Sequence, residues 1–178
     1  MEPSTPPRPT VVERQGLFAE RDDWAVAKWC RIETALELIG TRSAMVLLRE
    51  ALYGATRFED LVRRTGLSEA VAAGRLKELV RHGMLERQPY KEPGARTRYE
   101  YLVTDLGRKV FPVVVALMEF GELVREDHAT GAEFVHRECG GALTTSVRCT
   151  RGHEVDLGDA AVRIKDEDLA LRSLRAAE

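Results

Sequence analysis

The chain has 178 residues, enough for one good hydrophobic core and a small appendage. Its content of 44% hydrophobic and 31% charged residues is ordinary for a soluble protein, and no apolar run approaches the ~20 residues that cross a bilayer. The net charge is −2, and the three cysteines, an odd number, argue against a secreted disulfide framework.

The small net charge conceals a basic segment. Between Arg57 and Arg98 there are ten Lys and Arg residues against six Asp and Glu residues, so this segment carries +4 and the rest of the chain −6. A basic segment in an acidic chain fits a surface that contacts phosphates. From charge alone, chance clustering on a solvated surface explains it equally well.

The chain opens with a proline-rich stretch. Residues 1–10 hold four prolines and no hydrophobic segment of the kind that a signal peptide needs. We therefore predict a disordered leader over residues 1–21 and a cytoplasmic protein without a membrane partner.

Apolar spacing predicts four amphipathic helices after this leader. Gly40 ends the first helix, Thr56 and Glu59 form a capping box at the start of the third, and Ser68 caps the fourth. The first two cover residues 22–39 and 43–52, the third buries Phe58, Leu61 and Val62, and the fourth runs from Ser68 to Arg81.

The fourth helix has two unlike faces on a helical wheel. Ala72, Leu76 and Leu79 share one face, which we expect to be buried. The opposite face is small and basic, which suits close approach to a DNA groove, although an ordinary solvated helix face looks similar. This second face carries Ala70, Ala73, Gly74, Lys77 and Arg81, with Arg75 on its flank.

A basic hairpin follows the fourth helix. Residues 85–90 and 99–103 read as strands, and they bracket a turn at Pro93-Gly94 with cations on both sides. A helix, a turn, a second helix and a two-stranded wing form the unit with which winged-helix proteins read duplex DNA. We therefore predict a mainly α fold with a small β wing, a winged helix-turn-helix domain over residues 22–128.

The last helix of this domain has an apolar stripe. Val113, Leu117, Phe120 and Val124 repeat at helical spacing after Pro112. The stripe either meets a partner chain or packs against the first helix of its own chain. We expect a homodimer, because DNA operators are commonly read by twofold-symmetric pairs.

Several separated motifs resemble the HxlR-type winged-helix transcriptional regulators. They occupy residues 37–61, 76–87 and 99–107, and the resemblance extends over residues 30–121. It implies a homodimeric bacterial regulator with Arg57-Phe58 at the start of the support helix and residues 68–81 as the recognition helix. The chain departs from the family pattern at Arg42-Ser43, where a Trp is usual, and at Ala73 and Gly74, where bulkier polar residues are usual.

These observations predict a sequence-specific regulator that binds double-stranded DNA, either a repressor or a regulator tuned by a small-molecule or redox effector that the sequence does not identify. The alternative is a winged-helix interaction scaffold that does not bind DNA. The sequence lacks a P-loop, a dinucleotide-binding glycine run and a nucleophile elbow, so we expect no enzyme. The expected DNA contacts are Arg75 and Lys77 in the major groove, Arg57 on a phosphate, Arg96 and Arg98 at the minor groove or its phosphates, and Ser68, Ala70 and Ala73 along the recognition helix.

Two short His/Cys pairs stand near the C-terminus. His136 and Cys139, then Cys149 and His153, have the spacing of ligand pairs in a small zinc ribbon. The alternative is a β-hairpin with buried or idle thiols, so zinc is the cofactor to be tested. The appendage covers residues 129–158, and a partly helical tail covers residues 159–178.

The third cysteine, Cys30, lies near the start of the winged-helix domain. The resemblance implies a redox sensor there, since HxlR-type proteins commonly have a cysteine at this position, and Lys28 and Arg31 could favour its thiolate. A buried, inert thiol beside Trp29 is the alternative.

Overall fold

The structure, a computed structural model, describes residues 11–19, 30–91, 97–124, 131–167 and 170–171. The chain forms two compact units, one of Ala27–Thr145 and one of Met1–Val26 with Ser146–Glu178. Among the described helices, none has the length and apolar character needed to cross a membrane. The strands are β1 (Glu13–Arg14), β2 (Leu85–Tyr90), β3 (Arg98–Val103) and β4 (Ala161–Val162), and the helices are α1 (Arg31–Ile39), α2 (Arg42–Leu52), α3 (Phe58–Thr65), α4 (Glu69–Arg81), α5 (Asp105–Arg108) and α6 (Phe111–Val124).

Helix α2 is the centre of the larger unit. It contacts α1, α3, α4, α6 and β3, and its Leu47 and Leu48 are fully buried. Burying a leucine side chain stabilises a fold by about 1.5–3 kcal/mol, so this cluster holds the helices together. The buried core consists of Ala44, Leu47, Leu48, Ala51, Ala55, Leu61, Leu76, Leu79, Met84, Leu85, Val110 and Val114.

The start of α3 differs from the sequence-based expectation. The N-cap residue is Arg57, which makes no side-chain cap hydrogen bond, so the predicted capping box of Thr56 and Glu59 is wrong. The reason lies far along the chain: the Thr56 carbonyl accepts a hydrogen bond of 2.8 Å from the Tyr101 amide. Arg57 also forms a β-bridge with Glu100, so the residues before α3 pair with the wing.

The connection between α3 and α4 follows the prediction. Gly66 ends α3 in the left-handed conformation with φ of 66°, which glycine adopts without a steric penalty. Ser68 then caps α4, because its hydroxyl oxygen accepts a hydrogen bond of 3.4 Å from the Val71 amide. These two residues set the turn of the helix-turn-helix.

A second local motif joins the wing to α5. The Thr104 hydroxyl donates to the Gly83 carbonyl at 2.6 Å and accepts from the Gly107 amide at 3.0 Å. Gly107 packs so tightly that an added Cβ would collide with the carbonyl oxygen of Met84 and crowd the Val103 side chain. The wing and α5 are therefore held together at a position that accepts only glycine.

We expect Gly107→Ala to lower the free energy of unfolding by about 1–3 kcal/mol, since the new methyl group has no space. Urea unfolding followed by circular dichroism measures this effect. Gly74→Ala is the matched control, because Gly74 lies inside α4 with no atom within 4 Å of an added Cβ. That control should raise stability by roughly 1 kcal/mol. An unchanged unfolding midpoint for Gly107→Ala would contradict the tight packing.

The appendage divides differently from the predicted boundaries at residues 128 and 158. Residues 131–145 belong with the helices, since Phe134 packs edge-on against Phe111 at 4.9 Å and against Tyr53 at 5.6 Å between ring centroids. The Glu119 carboxylate also accepts a hydrogen bond of 3.0 Å from the Thr145 amide. The aromatic contacts fix this segment to the ends of α2 and α6.

The smaller unit joins residues from both parts of the chain. Strand β1 pairs in parallel with β4, and the Glu167 carboxylate accepts a hydrogen bond of 3.1 Å from the Leu17 amide. Residues 11–19, predicted as part of a disordered leader, therefore carry a strand and a 3-10 turn. Local sequence could not reveal this pairing, because the partners lie near the other end of the chain. Residues 1–10, 20 and 21 of the predicted leader lie outside the described part.

Candidate nucleic-acid interface

Helix α4 presents one face to the core and the other to solvent. Ala72, Leu76 and Leu79 are buried, as the helical wheel predicts. The opposite face is formed by exposed residues with small or cationic side chains: Ala70, Ala73, Gly74, Lys77 and Arg81. The helix backbone can therefore come close to a flat or grooved partner on this side.

Arg75 and Lys77 are the cations of α4 that remain available. Arg75 is half-buried on the flank of the outward face, and Lys77 is exposed. In the part of the chain that the structure describes, neither cation has a carboxylate within 4 Å. With respect to the described residues, both charges can therefore meet an anionic partner without breaking an ion pair.

Arg63 of α3 and Arg81 of α4 are each paired with a carboxylate of their own helix. Arg81 contacts Glu78 at 2.5 Å, and Arg63 contacts Asp60 at 2.5 Å. These hydrogen bonds from the guanidinium groups hold the pKa of the Glu78 and Asp60 carboxyl groups below their ordinary values. Arg81 is thus a weaker candidate for a DNA contact than Arg75 or Lys77.

The wing is an antiparallel hairpin in the predicted place. Leu85 lies opposite Val103 and Tyr90 lies opposite Arg98. The Arg98 guanidinium is 3.7 Å from the Glu59 carboxylate of α3. Arg96 and the predicted Pro93-Gly94 turn fall among residues 92–96, which lie outside the described part. Arg98 is the first residue of β3, opposite the last residue of β2.

Two cation–π contacts involve tyrosines at the end of the wing next to residues 92–96. The Arg57 guanidinium carbon lies 4.8 Å from the Tyr90 ring centroid, and that of Arg87 lies 3.5 Å from the Tyr99 ring centroid. Such contacts contribute about 0.5–1 kcal/mol each when exposed. Sequence reasoning missed Arg87, Tyr90 and Tyr99, although the presence of both arginine and tyrosine in each strand was a usable signal.

The remaining predicted contact residues lie on or beside α4. Ser68 uses its hydroxyl oxygen as the cap of α4, while Ala70 and Ala73 are exposed two and five residues further along the helix. The structure thus brings Ser68, Ala70, Ala73, Arg75 and Lys77 together on one helix. Arg57 and Arg98 lie on the neighbouring support helix and wing. Their roles toward DNA stay predictions at this point.

Cys30 is the N-cap residue of α1 and is half-buried. Its thiol makes no cap hydrogen bond, and its carbonyl oxygen accepts one of 3.1 Å from the Thr34 amide. Lys28 and Trp29 lie outside the described residues. The redox role of Cys30 stays a prediction.

The predicted zinc ligands occur as two close pairs, one in each compact unit. His136 lies beside Cys139 in the larger unit, and Cys149 lies beside His153 in the smaller one. Over the described residues, no three His, Cys, Asp or Glu side chains gather closely enough to hold a metal ion. Zinc binding by these four residues stays a prediction.

The comparison with protein families concerns the helices and the wing. Residues 38–129, just over half of the chain, match the family described as HxlR-like helix-turn-helix. The chain belongs to this family. The HxlR-like chain is 35% identical over 123 residues to an HTH-type transcriptional regulator of Mycobacterium tuberculosis. This alignment covers 68% of this chain and 77% of the relative. YdeP, an HTH-type transcriptional regulator of Bacillus subtilis, is 29% identical over 112 residues, covering 62% of this chain and 84% of the relative.

Solved structures agree with this HxlR-like assignment. PA1607, a proposed transcription factor, superposes with a TM-score of 0.70 at 30% identity, covering 79% of this chain and 97% of that one. A proposed transcription factor from Pseudomonas aeruginosa, PA1374, gives a TM-score of 0.58 at 27% identity. The superposition covers 80% of this chain and 99% of PA1374. The predicted winged-helix fold and the HxlR-type resemblance are confirmed. The protein is a transcriptional regulator of this winged-helix type, in a family of regulators rather than enzymes.

Proposed function

We propose that this HxlR-like protein is a sequence-specific DNA-binding regulator, a repressor or an effector-tuned regulator, that acts as a homodimer. Helix α4 enters the major groove, and the wing contacts the neighbouring backbone. The observation that carries the proposal is the outward face of α4, which combines small side chains with Arg75 and Lys77, two cations that form no ion pair with any described residue.

The two cations of α4 suit different contacts. Arg75 has a planar guanidinium group that can donate two hydrogen bonds to one guanine, which is the commonest specific contact in the major groove. Lys77 is a point charge suited to a phosphate. Ala70, Ala73 and Gly74 add little bulk, so the backbone of α4 can approach the bases. Ser68 lies at the start of the same helix.

The support helix and the wing supply the remaining phosphate contacts. Arg57 at the start of α3 and Arg98 in β3 are both exposed. Their intrachain partners, the Tyr90 ring and the Glu59 carboxylate, orient the two guanidinium groups without burying them. Arg96 is expected to add a third such contact near the tip of the wing.

The dimer proposal rests on α6. Val114 and Val115 face the core, whereas the predicted stripe of Val113, Leu117, Phe120 and Val124 is between 42% and 62% exposed. In the described part of the chain, the stripe is therefore left largely exposed. On α1, Ile32 and Leu36 are exposed as well. A second copy is the partner that fits best, because a twofold dimer covers the same patch on both chains and presents two copies of α4 to a palindromic site.

A binding titration tests this function. DNA fragments are first selected from a random pool by the purified protein, and the enriched duplex is then titrated at several salt concentrations beside a scrambled duplex. We expect tighter binding to the selected duplex and a log-linear loss of affinity with salt. Dimers that bind neither duplex would instead favour a winged-helix interaction scaffold.

We expect Arg98→Ala to weaken binding to every duplex and to reduce the slope of log K against log salt by about 0.9, the value for one lost phosphate contact. Fluorescence anisotropy at four or more salt concentrations gives this slope. Arg163→Ala removes an exposed arginine outside the winged helix and serves as the matched control. A slope that stays the same in Arg98→Ala would exclude a phosphate contact by this strand of the wing.

A further inference from the structure

Two acidic residues lie in the first turn of α3, and they make different contacts. Asp60 is paired with Arg63 of its own helix at 2.5 Å. Glu59, in contrast, lies 3.7 Å from the Arg98 guanidinium group of the wing. Glu59 is thus the acid of this turn that connects the support helix with a cation proposed to contact DNA.

The wing brings Arg98 close to a second arginine. Arg98 lies opposite Tyr90 in the hairpin, and the Arg57 guanidinium carbon lies 4.8 Å from the ring centroid of the same tyrosine. Cross-strand partners point to the same face of a sheet, so Arg57 and Arg98 both lie beside Tyr90. The Glu59 carboxylate meets Arg98 at this cationic site, and a guanidinium group binds carboxylate and phosphate oxygens in the same way.

The ion pair of Glu59 and Arg98 is weak enough for a phosphate to replace it. The two side chains are 65% and 57% exposed, and their separation of 3.7 Å is longer than a hydrogen bond. Exposed pairs of this kind contribute little, because water and salt screen them. A DNA phosphate can therefore displace Glu59 from Arg98, but the displaced carboxylate stays on the neighbouring helix turn and repels the phosphate.

We propose that Glu59 competes with the DNA backbone for Arg98 and thereby lowers the affinity of the protein for every duplex. This inference rests on the proposed function, since it adds a competing acid to the same wing contact. A phosphate carries no sequence information, so Glu59 weakens binding to random DNA as much as binding to the operator. The ratio of the two affinities is left unchanged.

Glu59→Gln tests the inference, because glutamine keeps the size of the side chain and removes its charge. We expect this variant to bind the selected and the scrambled duplex roughly 2- to 5-fold more tightly than the wild type, as the loss of one exposed ion pair allows. Its affinity should also fall more steeply with salt. Glu59→Asp keeps the charge and should bind close to the wild type. Fluorescence anisotropy gives all of these values.

Glu86→Gln is the matched control. Glu86 is an exposed acid of the same hairpin, opposite Leu102 and four residues along β3 from Arg98. That spacing corresponds to roughly 13 Å, which exceeds the screening length of about 10 Å at 0.1 M salt. The control removes the same charge from the wing and should leave binding nearly unchanged.

A double-mutant cycle shows whether Glu59 acts through Arg98. In the Arg98→Ala background, Glu59→Gln should lose most of its gain in affinity. Far-ultraviolet circular dichroism checks that each variant is folded, and Glu59→Ala removes the same charge where glutamine is not tolerated. The inference is overturned by unchanged binding of both charge-removing variants, by an equal gain in the two backgrounds, or by an equal gain in Glu86→Gln. Wild-type protein that binds neither duplex would overturn the proposed function as well, whereas wild-type binding that Glu59 does not affect would overturn this inference alone.

Discussion

Leu117→Asp is expected to convert the protein from dimers into monomers. Leu117 lies in the middle of the apolar stripe of α6 and is 50% exposed in the single chain, so its replacement leaves the core intact. In the dimer, the new carboxylate would lose its water without gaining a partner. Burying even an uncharged polar group in this way costs roughly 2–7 kcal/mol, and an ionised one costs more. Light scattering coupled to gel filtration measures the mass directly.

Two further variants separate the interface from the fold. Val147→Asp places the same charge on a side chain that is 70% exposed in the other compact unit, and this variant should stay dimeric. Phe120→Asp alters the same stripe one turn further on and should also give monomers. If Leu117→Asp and Phe120→Asp both remain folded dimers, α6 is not the interface.

The helices of the winged helix could be predicted because their signals are local. Helix α4, for example, needs only the Ser68 cap and the spacing of Ala72, Leu76 and Leu79, all within fourteen residues. The wing strands were also predicted almost to the residue, since alternating side chains bracket a Pro-Gly turn. These features depend on residues that are close in sequence, and a local sequence pattern can reveal such features.

The features that escaped prediction depend on distant partners. Thr56 matched the pattern of a helix cap, but in the folded chain its carbonyl pairs with Tyr101 of the wing. Glu13 and Arg14 have the composition of a flexible leader, yet they pair with residues 161–162. The cation–π contacts of Arg57 and Arg87 likewise join different elements. No local pattern encodes such pairings, so the contact residues of α4 could be predicted, whereas the cation–π contacts of the wing could not.

Arg75→Ala is expected to weaken binding to the selected operator by about 1–3 kcal/mol, or roughly 5- to 150-fold, and to relax the preference at one base pair. Arg75 is half-buried on the flank of α4, and its guanidinium group has no carboxylate within 4 Å among the described residues. Partial burial of the residue reduces the conformational freedom that its side chain loses on binding. The guanidinium group is therefore well prepared for a directional contact with a base.

The conservative variant Arg75→Lys decides what kind of contact Arg75 makes. Lysine keeps the charge but lacks the planar pair of donors, so a base contact should be lost while attraction to phosphates remains. We therefore expect Arg75→Lys to bind scrambled DNA like the wild type and the selected operator about as weakly as Arg75→Ala. If Arg75→Lys instead restores operator binding, Arg75 contacts only the backbone. Sequence readout would then have to come from the other exposed residues of α4, with Lys77 as the next side chain to replace.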